Sequence, residues 1–159
     1  MRVQLQDLSP DHTPMVTEAL THLGANLVTA GAELMLFEAT QAETAQNRIA
    51  AFAATVSPAA KVGADLHARA LAVWLMPEGH AALLTGALHN AARTHAPHLR
   101  VNAVHFGGRW PAPEPWQAAW GPAQPHPSAP PRAKALAQAL SYLFETRSVT
   151  GQLLHLSPL

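Results

Sequence analysis

The chain of 159 residues contains no cysteine, one tyrosine and only two lysines. Without cysteine it can form neither disulfide bridges nor thiolate metal sites, and it has no cysteine nucleophile. The single tyrosine and two lysines also leave little material for a phenol and an ammonium group that cooperate in acid–base catalysis. The composition therefore excludes cysteine chemistry and limits catalysis by a tyrosine and a lysine.

Charged residues are scarce as well, at 13% of the chain with a formal net charge of zero, whereas 48% of the residues are hydrophobic. The basic residues are spread singly, so there is no stripe of positive charge for a nucleic acid. The apolar fraction argues against disorder. No stretch approaches the roughly 20 apolar residues of a membrane span, and the first residues lack the apolar core of a signal peptide. We therefore expect a cytoplasmic protein that binds no nucleic acid.

Ten histidines are present, which raises the question of a metal site. Their spacing contains no His-Glu-x-x-His motif and no pair four residues apart. The serines form no Gly-x-Ser-x-Gly elbow of the kind that carries a hydrolase nucleophile. Neither a metal site nor a hydrolase triad is expected from these spacings.

Hydrophobic periodicity predicts strands that alternate with helices. The predicted strands are 14–17, 33–37, 61–64, 99–104 and 151–156. The predicted helices are 21–30, 41–54, 81–94 and 133–144. Residues 66–76 fit either a helix capped by Asp65 or a strand at 71–75. This order predicts an α/β fold of Rossmann-like, three-layer type with a mostly parallel, reduced sheet. Residues 1–13 are expected to form a polar N-terminal arm, and residues 14–159 a single domain.

Residues 107–131 form a proline-rich loop that contains Trp110, Trp116 and Trp120. Three interpretations remain open for this segment. It could be a lid whose tryptophans line a pocket, or a polyproline surface for a protein partner. It could equally be a loop whose tryptophans cover the sheet edge and the core.

Two stretches in the second half carry a resemblance to a known family. Residues 96–104 read Ala-Pro-His-Leu-Arg-Val-Asn-Ala-Val, and residues 148–152 read Ser-Val-Thr-Gly-Gln. In this order, with a helix between them, they resemble the short-chain dehydrogenase/reductase family and, within it, the pteridine-reductase-like branch. Residues 15–66 are similar to that family's first two βα units and third strand. The resemblance implies a shortened and degenerate member of the family.

The resemblance also implies where a dinucleotide would bind. The family has a Thr-Gly-x-x-x-Gly-x-Gly turn that lets the backbone approach a pyrophosphate, and the aligned residues here run from Thr17 to Gly24. Gly24 is the only glycine of the pattern that remains, and Glu18 brings a carboxylate to the turn. The resemblance assigns residual cofactor contacts to Thr17, Gly24, Asp65 and Asn102. NADP or NAD is the possible cofactor, although we expect none to be bound.

The catalytic pair of the family is missing. Its members use Tyr-x-x-x-Lys for proton transfer during hydride transfer, and the alignment puts these two positions near Pro77 and Ala81. The single tyrosine, Tyr142, has no lysine four residues on and is interpreted as a packing residue. No catalytic residue is predicted, so we expect a non-catalytic protein that acts as a binding, structural or regulatory subunit.

The alternative is an NAD(P)-dependent oxidoreductase of pterin-reductase type whose chemistry has moved to His80, His105 or Arg109. In either case the family's Asn-Asn-Ala-Gly strand and its following helix have no counterpart in the alignment. The sheet would then have lost its centre or changed its strand order, which leaves strand edges or apolar faces to be covered. A partner chain could cover them, so a homo-oligomer or a hetero-oligomer is expected.

Overall fold

The computed structural model of the protein describes residues 1–56, 70–76, 79–106 and 132–156. The strands are β1 (Arg2–Gln6), β2 (Asn26–Leu27), β3 (Leu34–Glu38), β4 (Leu71–Met76), β5 (Arg100–Phe106) and β6 (Leu153–Leu156). The helices are α1 (Thr13–His22), α2 (Ala42–Val56), α3 (Ala81–His95) and α4 (Arg132–Glu145). All six strands are parallel and lie in the order β2-β1-β3-β4-β5-β6. The predicted α/β, Rossmann-like fold class is confirmed.

Helices cover both faces of the sheet and make the fold three-layered. Along β3, Leu34 and Leu36 pack on the side of α1 and α4, whereas Met35 and Phe37 pack on the side of α2 and α3. The same alternation continues through β4 and is the period-2 geometry of a strand. Since both faces are covered, β3 and β4 are apolar at nearly every position, as parallel strands usually are.

Strand β4 settles the ambiguity over residues 66–76 for the part that the structure describes. Residues 71–76 form a fully buried strand that pairs with β3 on one side and β5 on the other. The chain reaches it from β3 through the 15-residue helix α2, which is long enough for a parallel crossover. The sheet has therefore kept a buried centre, in an order that differs from the family alignment. The strand predicted at 61–64 lies outside the described residues.

The N-terminal segment differs from the expectation of a polar arm at residues 1–13. Residues 2–6 form β1, which pairs with both β2 and β3. The strand predicted at 14–17 is instead the first half of α1, where Pro14 suits the opening turn of a helix because its missing N–H is not needed there. The helix predicted at 21–30 is wrong, because only its first two residues are helical, as the end of α1, and Asn26–Leu27 form β2. Gly24 follows α1 with a φ of +58°. The division of the chain into domains stays a prediction.

Helix α4 packs with α1 on one face of the sheet, whereas α2 and α3 lie on the opposite face. Residues 107–131, between β5 and α4, lie outside the described residues.

Candidate functional site

The strand order predicts a crevice at the carboxyl ends of β1 and β3. From β1 the chain first moves outward to β2 and then returns across β1 to β3. Such a reversal point is where open α/β sheets bind ligands, outside the carboxyl ends of the strands. The loop from Asp7 to His12 and the last residue of β3, Glu38, meet there.

Glu38 lies at the place where the strand order predicts this crevice. Its Oε2 accepts a hydrogen bond from the backbone N–H of Ser9 at 3.0 Å and lies 3.1 Å from Nδ1 of His12. The Glu38 side chain is only 10% exposed and that of His12 is 23% exposed. A carboxylate with a backbone donor and an imidazole partner is well placed at this depth, because a buried charge needs such partners.

The start of α1 offers few donors to an external anion. The backbone N–H groups of His12 and Thr13 both donate to the Ser9 carbonyl, at 3.1 and 3.0 Å. Pro14 has no N–H to offer. Anion sites at helix N-termini depend on backbone N–H groups that point at the ligand. In this helix those groups are used within the loop itself or are absent.

The acidic residues outnumber the basic ones near these strand ends. Asp7 and Asp11 lie on the loop after β1, and Glu38 ends β3. Arg48 on α2 forms an ion pair with Asp7, in which both side chains are about half exposed. The local charge therefore disfavours a diphosphate here.

The floor of the crevice is held by Trp74 of β4. Its indole N–H donates to the carbonyl oxygen of Ala39 at 2.9 Å, which fixes the backbone directly after Glu38. The indole also stacks on Phe37, with ring centroids 6.0 Å apart and an interplanar angle of 21°. Two adjacent strands thereby set the position of the Glu38 carboxylate.

The residues that the resemblance assigned to the glycine turn lie elsewhere. Thr17 is in the second turn of α1, where its hydroxyl donates to the Thr13 carbonyl at 2.8 Å. Glu18 is exposed and lies 3.7 Å from His22 on the same helix. Gly24 follows the end of α1, just before β2. Asp65 lies outside the described residues.

Asn102 is fully buried and joins the two stretches that carry the family resemblance. Its Nδ2 donates to the Val149 carbonyl at 3.1 Å, and its Oδ1 accepts from the backbone N–H of Gln152 at 2.9 Å. The backbone N–H of Gly151 also donates to the Val101 carbonyl at 2.7 Å. The two stretches thus pack against each other, and every bond that Asn102 makes here holds the scaffold together.

This arrangement predicts that Asn102→Ala lowers the free energy of unfolding by about 2 kcal/mol, because the Val149 carbonyl and the Gln152 N–H lose their partner in a buried site. Urea denaturation followed by circular dichroism measures the change. Asn47→Ala, at an exposed position of α2, is the matched control and should stay within about 0.5 kcal/mol of wild type. Unchanged stability in Asn102→Ala would argue for a ligand-binding role instead.

The family's catalytic positions hold no acid–base group in the described part of the chain. Ala81 is the first residue of α3 and is buried, while Pro77 lies outside the described residues. Tyr142 lies on α4 and is 49% exposed, so only about half of its surface packs against the protein. Of the positions in the alternative, His80 precedes α3 and His105 is on β5, whereas Arg109 lies outside the described residues.

Ser9, His12 and Glu38 were not predicted from the sequence. A usable signal exists in residues 2–14: alternation of Val3 and Leu5 with glutamines, followed by Ser-Pro-Asp-His-Thr-Pro, is typical of a strand, a turn and a helix start.

Among the described residues no helix has the length and hydrophobicity to span a bilayer.

No protein-family model matches the chain, and no curated protein matches it. Among solved structures, the protein lin1944 from Listeria innocua is similar over 99% of this chain and 100% of its own, with a TM-score of 0.54 and 12% identity. FolM alternative dihydrofolate reductase 1 from Brucella canis, solved in complex with NADP, is similar over 98% of this chain and 81% of its own, with a TM-score of 0.46 and 19% identity. The likeness to the Listeria protein supports the Rossmann-like fold and extends no further than the fold.

Proposed function

We propose that the protein is a non-catalytic relative of the short-chain dehydrogenases that acts as a binding, structural or regulatory subunit. The observation that carries this proposal is the Glu38 carboxylate, which accepts from the Ser9 N–H at the crevice where Rossmann-like folds bind a cofactor phosphate. The chain thus places its own carboxylate where a cofactor phosphate would bind. Because contacts within the chain hold this carboxylate, the folded protein needs no bound nucleotide to be stable.

The energetics favour exclusion of a dinucleotide. Two like charges 4 Å apart repel by about 1 kcal/mol in water and by about 4 kcal/mol at the effective dielectric near a protein surface. Glu38 is mostly buried, so the larger value is the better guide. A diphosphate would also have to displace the Ser9 and His12 contacts of Glu38.

The alternative function is an NAD(P)-dependent oxidoreductase of pteridine-reductase type with a rearranged active site. It would require NADP or NAD to bind near Thr17, Gly24, Asp65 and Asn102, although Asn102 already uses its amide within the scaffold. It would also require a proton donor in place of the missing Tyr-x-x-x-Lys pair. We favour the non-catalytic role because it needs neither.

A subunit role implies a partner, and we propose self-association or pairing with another protein in the cytoplasm. The edge of the sheet supports this, because Leu27 lies on the edge strand β2 and is 58% exposed, and an unpaired strand edge can accept a partner.

The test is titration of the purified chain with NADPH, followed by calorimetry and by the melting temperature. We expect no heat of binding and no rise in melting temperature at about 1 mM NADPH, because a ligand stabilises a protein only if it binds the native state. Glu38→Gln should gain affinity for NADPH because it removes the repulsive charge, whereas the control Glu18→Gln, on the exposed face of α1, should behave as wild type.

Two results would refute the non-catalytic proposal. One is a saturable rise in the melting temperature of wild type with NADPH. The other is NADPH oxidation, with a pterin or carbonyl substrate, at a rate proportional to protein concentration. Either would favour the oxidoreductase.

A further inference from the structure

We propose that His105 and His155 form a two-imidazole site for a divalent transition metal such as Zn²⁺. The two residues are directly paired across the parallel strands β5 and β6. Their Nδ1 atoms are 3.2 Å apart, and the rings meet edge to face with centroids 5.2 Å apart. The two Nδ1 nitrogens are therefore held within hydrogen-bond distance of each other.

The separation of the two nitrogens fits coordination of one metal ion. Zn–N bonds of about 2.0–2.1 Å that meet at the tetrahedral angle of about 109° place the two nitrogens about 3.3–3.4 Å apart. The observed 3.2 Å needs an adjustment of only about 0.1–0.2 Å. Neighbouring positions on paired strands supply this approach without any special backbone conformation.

The chemistry of the exchange is balanced. In the metal-free pair one Nδ1–H donates to the other Nδ1, which holds a lone pair. When a metal binds, both Nδ1 atoms use lone pairs, so each ring must carry its proton on Nε2. The step assigns the donor role to His155, which is exposed, so water can carry its proton from Nδ1 to Nε2 and no net proton is released. His105, whose Nε2 is buried, then keeps its proton on Nε2 throughout.

The ligand type selects the class of metal. Neutral imidazole suits Zn²⁺, Cu²⁺ and Ni²⁺, whereas Mg²⁺ and Ca²⁺ prefer oxygen ligands. Within the described ranges no three side chains of His, Asp or Glu are grouped so that they could hold a metal ion. We therefore infer an open site at which two protein nitrogens bind the metal and water completes the coordination.

A metal at this place would tie β6 to the rest of the sheet. Strand β6 is at the edge and pairs with β5 alone in the described part of the chain. A bound metal adds a second link between the strands beyond their backbone hydrogen bonds, and metal binding that requires the folded arrangement adds to folding stability.

The test is calorimetric titration of the full chain with Zn²⁺, with Mg²⁺ as the control ion. Wild type should bind one Zn²⁺ more per chain than His155→Gln, and its melting temperature should rise with Zn²⁺ more than that of the variant. His89→Gln, which removes an exposed imidazole on α3, should keep the wild-type stoichiometry. Mg²⁺ should give no heat with any of the three proteins.

A second measurement on the wild-type chain does not depend on a variant. Nitrogen-15 spectra of the histidine rings should show Zn²⁺ shifting the Nδ1 signals of His105 and His155 together. The proposal is overturned if wild type takes up no Zn²⁺, if His155→Gln binds as much as wild type, or if His89→Gln loses the same equivalent.

Discussion

Replacement of Trp74 by alanine is expected to lower the free energy of unfolding by about 3–5 kcal/mol, the usual cost of deleting a large buried aromatic side chain. Trp74 is fully buried at the centre of the sheet and packs against Phe37 and the apolar face of α2. Domains of this size are stable by about 5–15 kcal/mol in total. Removal of this one side chain should therefore cost a large fraction of the total free energy of unfolding.

Trp74→Phe is the matched variant that separates packing from hydrogen bonding. It keeps an aromatic ring beside Phe37 but leaves the buried Ala39 carbonyl without its donor. We expect a loss of about 1–2 kcal/mol. Urea unfolding followed by circular dichroism measures both variants. If Trp74→Ala cost no more than Trp74→Phe, the indole could not be the packing centre of this face.

Trp74 also bears on the crevice, because it holds the backbone next to Glu38. Trp74→Phe is expected to free the main chain at Ala39 and to keep the fold. NADPH titration of this variant therefore tests whether the Glu38 carboxylate needs a fixed backbone to exclude a nucleotide.

The second half of the fold could be predicted from the sequence. Helices predicted at 81–94 and 133–144 lie at 81–95 and 132–145, and the strand predicted at 99–104 lies at 100–106. The helices are amphipathic and the strand is a buried apolar run, so tertiary packing and local pattern agree there. The helix predicted at 41–54, observed at 42–56, follows the same rule.

Residues 1–30 were predicted wrongly because the alternating signal of β1 is short. It has only five residues, and Gln4 and Gln6 interrupt its apolar positions. Its outer neighbour β2 pairs with Arg2 and Val3 alone, so most of β1 is covered by a strand on one side only. Polar residues are tolerated at such a position. The family alignment, which began the first strand later, then shifted every assignment up to β3.

The candidate site depends on contacts between distant residues that no local pattern reveals. Glu38 meets Ser9 and His12 across 29 and 26 residues of chain. Those contacts follow from the register in which Gln6 pairs with Phe37. A single sequence does not specify that register, because β1 carries too few apolar residues to select one alignment against β3.

Arg100→Met is expected to lower the free energy of unfolding by about 3 kcal/mol, since it removes charged donors from three carbonyl groups in a buried setting. Arg100 is the first residue of β5 and is 5% exposed. Its guanidinium donates to the carbonyl oxygens of Leu143, Phe144 and Thr146, at and just beyond the end of α4. A cation at this end also stabilises the helix dipole.

Arg147→Met is the matched control, because it removes the same charge from an exposed position nearby. Burial lowers the pKa of Arg100, and the charge of Arg147 lowers it further. Loss of Arg147 should therefore relieve repulsion and change stability by no more than about 0.5 kcal/mol. Urea unfolding of both variants, with equal slopes required for comparison, gives the difference.

The part of the molecule that opens in Arg100→Met shows whether Arg100 stabilises the end of α4 in particular or the fold as a whole. Arg100 of β5 bonds the last turn of α4 directly to the sheet. Without that bond the end of α4 should open before the rest of the molecule. Native-state hydrogen exchange in Arg100→Met should therefore quicken at the end of α4 while the exchange of α2 amides changes only with global stability. Equal quickening in both helices would mean that Arg100 stabilises the whole fold and anchors no particular helix.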